Sequence, residues 1–246
     1  MLITRPSPAG DNLVKQLINL GKEAWHLPLI HCYPSKELSL LIKKLNLLSN
    51  EDLVFIISQN AINYAHQWLS ISRLFWPSKL KYYSIGRSSG LLMNKLTGLS
   101  VNFPKNGESS ENLLLLPTLT NIHGKRALIL QGKNGRKKLG NVLKKRGVKV
   151  EYCECYYRKQ INYNGEEQGN RMIKLGINTL VVTSGEMLKQ LYYLLPKNHR
   201  KSWLICCKLI VVSNRLAYIA KRLGWKDIVM AKTANNKDLI KLLLNI

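Results

Sequence analysis

Short apolar runs that lead directly into amphipathic segments recur along most of this chain, and that alternation restricts the fold more than any other feature. Strands are expected at 1–4 (MLIT), 53–58 (LVFIIS), 81–86 (KYYSIG), 126–131 (RALILQ), 178–183 (NTLVVT) and 208–213 (KLIVVS), with weaker ones at 100–103 and 228–230. Their near-continuous Val, Ile and Leu content suits strands covered on both faces. Helices are expected at 11–20, 36–48, 59–69, 87–97, 110–116, 135–146, 184–195, 214–223 and 235–245. Asp11 is a good N-cap, and Gly21, Pro117, Gly147, Pro196 and Gly224 supply stops. Strand and helix in turn mean parallel βα units, an α/β fold of the doubly wound, flavodoxin- or Rossmann-like kind.

Two stretches break the pattern. "EAWHLPLIHCYP" (23–34) carries Pro28 and Pro34, and "VKVEYCECYYRKQINY" (148–163) is extended but polar. Proline belongs at sheet edges, and such polarity does not fit a central parallel strand. Pairing the two, over 24–35 and 150–161, makes a two-stranded antiparallel connector. Residues 36–152 then form one domain, and 1–33 with 162–246 form a discontinuous other, with a cleft expected beside the connector.

At 246 residues, with 46% hydrophobic and 21% charged residues, the chain suits a globular protein of two modest domains. No apolar run reaches the ~20 residues a bilayer requires, and the N-terminus lacks a signal-peptide pattern. Five cysteines without a C-x-x-C pair argue against a disulfide framework or zinc site, and a reducing cytoplasmic setting is expected. The histidines are scattered, and no metal is expected. Net charge is +24, from 38 basic and 14 acidic residues. That excess is mainly Lys spread over nearly every helix, in a chain also rich in Asn and Ile. Compositional drift and an anionic ligand both account for it.

In parallel α/β sheets, ligands bind beyond the carboxyl ends of strands, where helix N-termini point. Here those ends read Thr4-Arg5, Ser58-Gln59-Asn60, Gly86-Arg87-Ser88-Ser89, Gly132-Lys133-Asn134-Gly135-Arg136, Thr183-Ser184-Gly185 and Ser213-Asn214-Arg215. Small residues let main-chain N–H groups approach a ligand, and the helix dipole adds positive potential. Arg5, Arg87, Arg136, Arg215 and Lys133 add cations suited to carboxylate or phosphate. Each Ser, Thr or Asn taken singly is also an ordinary N-cap. Six such ends together describe a surface for a ligand with many negative groups.

Other chemistries find little support. G-x-G-x-x-G, G-x-x-x-x-G-K-[ST] and G-x-S-x-G are all missing, and no acidic cluster suits magnesium. What remains is binding, positioning and one weak acid.

Ten short stretches, in order, resemble the uroporphyrinogen-III synthase family in its gamma-proteobacterial form. They are "LITRPSPAG" (2–10), "WHLPLI" (25–30), "ISQNAI" (57–62), "SIGRSS" (84–89), "SSENLLLLP" (109–117), "GKRALILQGKNGR" (124–136), "ECYYR" (154–158), "VVTSGEML" (181–188), "VVSNRLA" (211–217) and "LGW" (223–225). The resemblance implies two α/β domains joined by a two-stranded ladder. It implies as substrate the linear tetrapyrrole hydroxymethylbilane, with its eight acetate and propionate carboxylates. In the family this molecule loses its hydroxyl as water and closes with ring D inverted, through a spiro intermediate and without cofactor. Left alone, it closes to the non-inverted type I isomer. A monomer is expected, in transient contact at most with hydroxymethylbilane synthase, and neither nucleic acid nor membrane is expected as a partner.

By the same resemblance, Tyr156 matches a tyrosine that assists departure of the hydroxyl. A phenol donates a hydrogen bond and stays neutral near pH 7. Strand alternation sends Tyr157 to the opposite face. Substrate contacts are expected from Arg5, Ser58, Gln59, Asn60, Gly86, Arg87, Ser88, Ser89, Lys133, Arg136, Thr183, Ser184, Gly185, Ser213 and Arg215. Three positions depart from the family pattern. "SSG" at 88–90 stands where Thr and Ala are expected, so Gly90 loosens a first helical turn. Gln131 stands for Arg, and Asn134 for glycine. Two alternatives of other classes are a basic nucleic-acid binder and a non-enzymatic sensor of small anions. The first needs aromatics interleaved with the basic run "GKNGRKKLGNVLKKRG", which has none.

Overall fold

The computed structural model describes all residues, 1–246. In chain order the elements are β1 (Leu2–Ile3), α1 (Ala9–Asn19), β2 (Trp25–His26), β3 (Ile30–Pro34), α2 (Leu41–Asn46), β4 (Leu53–Ile56), α3 (Gln59–Ile71), β5 (Lys81–Ser84), α4 (Arg87–Thr97), β6 (Val101–Asn102) and α5 (Ser110–Leu114). Then come β7 (Arg126–Gly132), α6 (Lys138–Lys145), β8 (Lys149–Gln160), α7 (Gly165–Lys174), β9 (Thr179–Val181), α8 (Gly185–Leu194), α9 (Lys197–Ser202), β10 (Lys208–Val211), α10 (Asn214–Leu223), β11 (Ile228–Met230) and α11 (Asn236–Leu243). Every strand expected from the apolar runs is present. The chain divides into two compact units, Met1–His31 with Lys159–Ile246, and Cys32–Arg158.

The first unit holds a parallel sheet in the order β11-β10-β9-β1-β2. Successive side chains of a strand point to opposite faces, so each strand feeds two cores. Leu180 and Leu209 pack on one face with Met187, Leu188 and Leu191 of α8 and Leu216 of α10. Their neighbours Val181 and Ile210 pack on the other with Leu13 and Leu17 of α1 and Leu239 of α11.

The second unit holds six strands in the order β3-β8-β7-β4-β5-β6. The five from β8 to β6 are parallel. β3 runs against β8, since Ser35 N–H bonds to Cys155 O and Ile161 N–H to Leu29 O. Val54, Ile56, Leu128 and Leu130 meet α2, α3 and α4 on one face. Leu53, Phe55, Ala127 and Ile129 meet α5 and α6 on the other.

Several elements differ from those expected from the sequence. α7 and α9 were not expected. Gly165 and Gly169 dilute the helical signal of "GEEQGNRMIK", yet Asn164 caps it by accepting from Glu166 and Glu167 N–H. Gly169 is required, because a Cβ there would lie 2.4 Å from Nδ1 of buried His199. Pro196, read only as a stop, also opens α9. The helix expected over 36–48 divides into a 3-10 turn, Lys36–Leu40, and α2. The one expected from 135 begins at Lys138, because Gly135 N–H closes a turn on Gly132 O and Asn134 is left-handed at φ 60°. Asn tolerates that conformation better than most residues, which explains how it serves in place of glycine. The polar run 148–163 is also no mere connector. Lys149–Tyr156 pairs in parallel with β7, with polar Lys149 and Glu151 alternating with Val150 and Tyr152.

Gly90 does not loosen α4. It is buried, and a Cβ there would lie 2.4 Å from Phe103 Cδ1 and 3.0 Å from Ser84 Oγ. The close approach of Phe103 sets this residue, and overpacking costs about 1–3 kcal/mol, more than the ~1 kcal/mol of helix propensity alanine regains. Gly90→Ala is therefore expected to lower the urea midpoint. A raised midpoint would show that Phe103 swings clear.

Candidate functional site

At the carboxyl end of β7 its ladder with β8 loses its regular register. Gln131 faces Glu154, but the next residue, Gly132, faces Tyr156, leaving Cys155 as an extra residue. Such bulges bend a strand and re-aim the side chains beyond them. Before the bulge, Tyr152 packs towards α5 and α6, and strict alternation would send Tyr156 to that side. Instead both Cys155 and Tyr156 lie on the face covered by α2, α3 and α4.

Tyr156 is only 3% exposed, and its surroundings fix it on three sides. Its ring stacks on Tyr64 at 6.0 Å and 17°. Its edge lies against Gly132, where a Cβ would come within 2.7 Å of Cζ and 3.0 Å of Oη. Its hydroxyl is 3.1 Å from Ser58 Oγ. Ser58 N-caps α3 by accepting from Ala61 N–H at 3.2 Å. Tyr64 in turn donates to Cys32 O, and Asn60 Nδ2 donates to Cys32 Sγ at 3.3 Å. Burial raises the Tyr64 hydroxyl and Cys32 thiol above their ordinary pKa values, so both are neutral near pH 7. Tyr157 turns outward and stacks on Tyr33.

The neighbouring strand ends of this unit carry the expected anion-binding features, and two are already engaged. At β5–α4, Arg87 and Ser88 lie at the surface, while Gly86 and Ser89 are buried. The Glu108 carboxylate occupies this helix start. It accepts from Arg87 N–H at 3.1 Å and fills the space where a Cβ on Gly86 would stand. At β7–α6, Lys133 and Arg136 are exposed, and Lys133 N–H donates to Tyr156 O at 2.7 Å. Asn134 N–H donates to the Glu154 carboxylate at 3.1 Å. Beneath that loop the carboxamide of Gln131 is buried with neither its oxygen nor its nitrogen hydrogen-bonded. Gln59, on α3, is exposed.

The first unit shows its own set at the same strand ends. Thr4 is buried and donates to Val181 O. Arg5 is half-buried, donates to Asn236 Oδ1 at the start of α11, and has its pKa lowered by that burial. His26 braces the segment, with Nε2 2.7 Å from Arg5 O and Nδ1 2.9 Å from Asp11. The Ser7 hydroxyl first, and then His26, holds Asp11 below its ordinary range. Ser184 caps α8 by accepting from Met187 N–H, and Ser213 caps α10 by accepting from Leu216 N–H. Thr183 and Gly185 are half-buried and Arg215 is exposed.

Within the second unit, then, Ser58 and Tyr156 meet directly, with Gly132 of β7 against the ring, and Asn60 is linked to them only through Cys32 and Tyr64. Gly86, Arg87, Ser88 and Ser89 line a separate helix start in that unit. Tyr64, Glu108 and Glu154 were missed, and only Glu154 stood in a stretch singled out from sequence. No three His, Cys, Asp or Glu side chains gather in a way that could hold a metal ion. No helix is long and apolar enough to cross a membrane. The arrangement offers a phenol on a rigid mount, a paired hydroxyl and surface cations beside main-chain donors.

Residues 11–241 match the family model described as uroporphyrinogen-III synthase HemD. A uroporphyrinogen-III synthase of Salmonella typhimurium is 47% identical over 243 residues, covering 99% of both chains. That of Escherichia coli is 45% identical with the same coverage. One from Proteus mirabilis is 44% identical over 191 residues, 78% of this chain and 96% of that one. Among solved structures, a mutant uroporphyrinogen III synthase of Thermus thermophilus aligns with a TM-score of 0.60 at 14% identity, over 99% of this chain and 96% of that one. The Helicobacter pylori enzyme aligns at 0.58 and 17%, over 90% and 92%. These structures share the fold, and with relatives this similar over nearly every residue, the chain belongs to the uroporphyrinogen-III synthase family.

Proposed function

We propose that this uroporphyrinogen-III synthase takes hydroxymethylbilane as its substrate, and that Tyr156 is the acid that helps the hydroxyl leave. The observation that carries the role of Tyr156 is its mount. A bulge, a glycine and a stacked tyrosine together set one phenol at the mouth of a parallel sheet. Orientation of this kind supplies much of an enzyme's advantage over a reaction that also proceeds unaided.

The chemistry balances without a further reactant. The C–O bond of the hydroxymethyl group breaks, its electron pair stays on oxygen, and that oxygen leaves as water with the Tyr156 proton. The cation left on ring A is attacked by ring D, and closure with inversion sheds one proton, which restores the phenol. Substrate carboxylates are expected at the surface cations and helix starts, with Arg87, Ser88, Lys133 and Arg136 in the second unit and Arg5, Ser184, Ser213 and Arg215 in the first. Their selectivity for a polyacid fits the +24 charge. In this reading Glu108 occupies a carboxylate position that substrate takes over.

The purified protein, supplied with hydroxymethylbilane, is expected to yield mostly the type III porphyrin after oxidation and isomer separation. Only type I, formed at the rate of buffer alone, would overturn the assignment. Tyr156→Phe is expected to lower kcat by roughly 10²–10⁴-fold with KM and melting temperature little changed. Undiminished type III turnover would remove the acid role. Glu108→Gln keeps an acceptor at α4 but removes the charge that repels an incoming carboxylate. It is expected to lower KM by about two- to fivefold, the scale of one charge at a helix terminus. An unchanged KM together with a lower melting temperature would make Glu108 a helix cap and nothing more.

A further inference from the structure

We infer that Ser58 is a positioning residue that sets the direction of the Tyr156 proton, aligning a chain of donors from the start of α3 to the leaving hydroxyl. The inference rests on the acid role proposed for Tyr156. Between Ser58 Oγ and Tyr156 Oη, 3.1 Å apart, there is room for one proton. If Tyr156 donates to Ser58, the phenolic proton is spent on the protein and cannot follow a leaving group. If Ser58 donates to Tyr156, the phenolic proton is free and the phenol is made more acidic by the bond its oxygen accepts.

The surroundings of Ser58 favour the second arrangement. Its oxygen already accepts from Ala61 N–H, and it sits at the N-terminus of a helix of 13 residues. Both influences draw electron density from the serine oxygen, weakening it as an acceptor and strengthening its O–H as a donor. The phenol itself has little freedom to re-seat, because Tyr64 covers its face and Gly132 its edge. Its proton is the part left to choose a direction. The order is Ala61 N–H to Ser58, Ser58 O–H to Tyr156, and Tyr156 O–H to the departing oxygen.

Three substitutions at one position separate this from a helix-capping role. Ser58→Asp keeps the cap, since Asp is among the best N-caps, but it can only accept from Tyr156. Ser58→Gly keeps a tolerated cap residue and removes the partner. Ser58→Thr keeps both cap and donor. With the full-length protein and hydroxymethylbilane, measured at saturation so that KM effects drop out, Ser58→Asp is expected to lose about 10–10²-fold in kcat at an unchanged melting temperature. Ser58→Gly is expected to lose part of that, and Ser58→Thr to restore most of what Ser58→Gly loses. Each is then repeated in Tyr156→Phe, where no phenolic proton remains to direct and the Ser58 effects on kcat should vanish. Equal losses in both backgrounds, or full kcat in Ser58→Asp, would overturn the inference while leaving Tyr156 as the acid. Full kcat in Tyr156→Phe alone would overturn both.

Discussion

A single unpaired residue in β8, Cys155, decides which side of the six-stranded sheet receives the phenol of Tyr156. Were Cys155 itself paired with Gly132 in a regular ladder, the ring would lie with Tyr152, towards α5 and α6. With the bulge the ring lies against Tyr64 and Ser58, which α3 presents at the same strand ends. The bulge is compatible with its neighbours because of composition. Gly132 has no side chain to collide with the re-aimed ring, and Cys155 is small enough to be buried beside it. Local irregularity in one strand, a missing side chain in the next and a helix cap in the third thus converge on one hydroxyl.

Elsewhere in the second unit, the anion-receptive groups are not idle. Glu108 rests on the start of α4 and Glu154 on the loop before α6. In a chain with only 14 acidic residues against 38 basic ones, the use of two carboxylates in this way is informative. Main-chain N–H groups at helix starts are strong sites for negative charge, and the molecule satisfies them internally. Such sites are preorganised by the backbone, and exchange of one carboxylate for another costs less than desolvating an empty site.

The strands and most helices were legible because period and length are local signals. Val54 and Phe55, adjacent in sequence, serve different cores, as a strand covered on both faces requires. The α7 helix was hidden because its glycines answer to tertiary contacts, Gly165 with Leu194 O and Gly169 with His199, which the sequence around them does not reveal. Gly90 was misread for the same reason, since Phe103 approaches from 13 positions further along the chain. Tyr156 was legible through family resemblance, and Ser58 as a strand-end hydroxyl. Their contact was not, because it depends on the bulge, and nothing in "ECYYR" distinguishes a regular strand from one with an extra residue. Tyr64 and Glu108 carry no local mark at all; the fold alone brings them to the site.

The order of strands in the first unit has a consequence for how the protein is made. β1 pairs with β9, Leu2 against Leu180, so β1 leaves the ribosome long before its partner and stays unpartnered on that side until β9 has emerged. Residues 32–158, by contrast, are contiguous and form a complete unit before then. Domains fold as they emerge, so the inserted unit matures first and the unit that holds both β1 and β9 closes last. Assembly therefore runs from the middle of the polypeptide outward. Nascent chains stalled short of β9 would hold a finished insertion on an unfinished host.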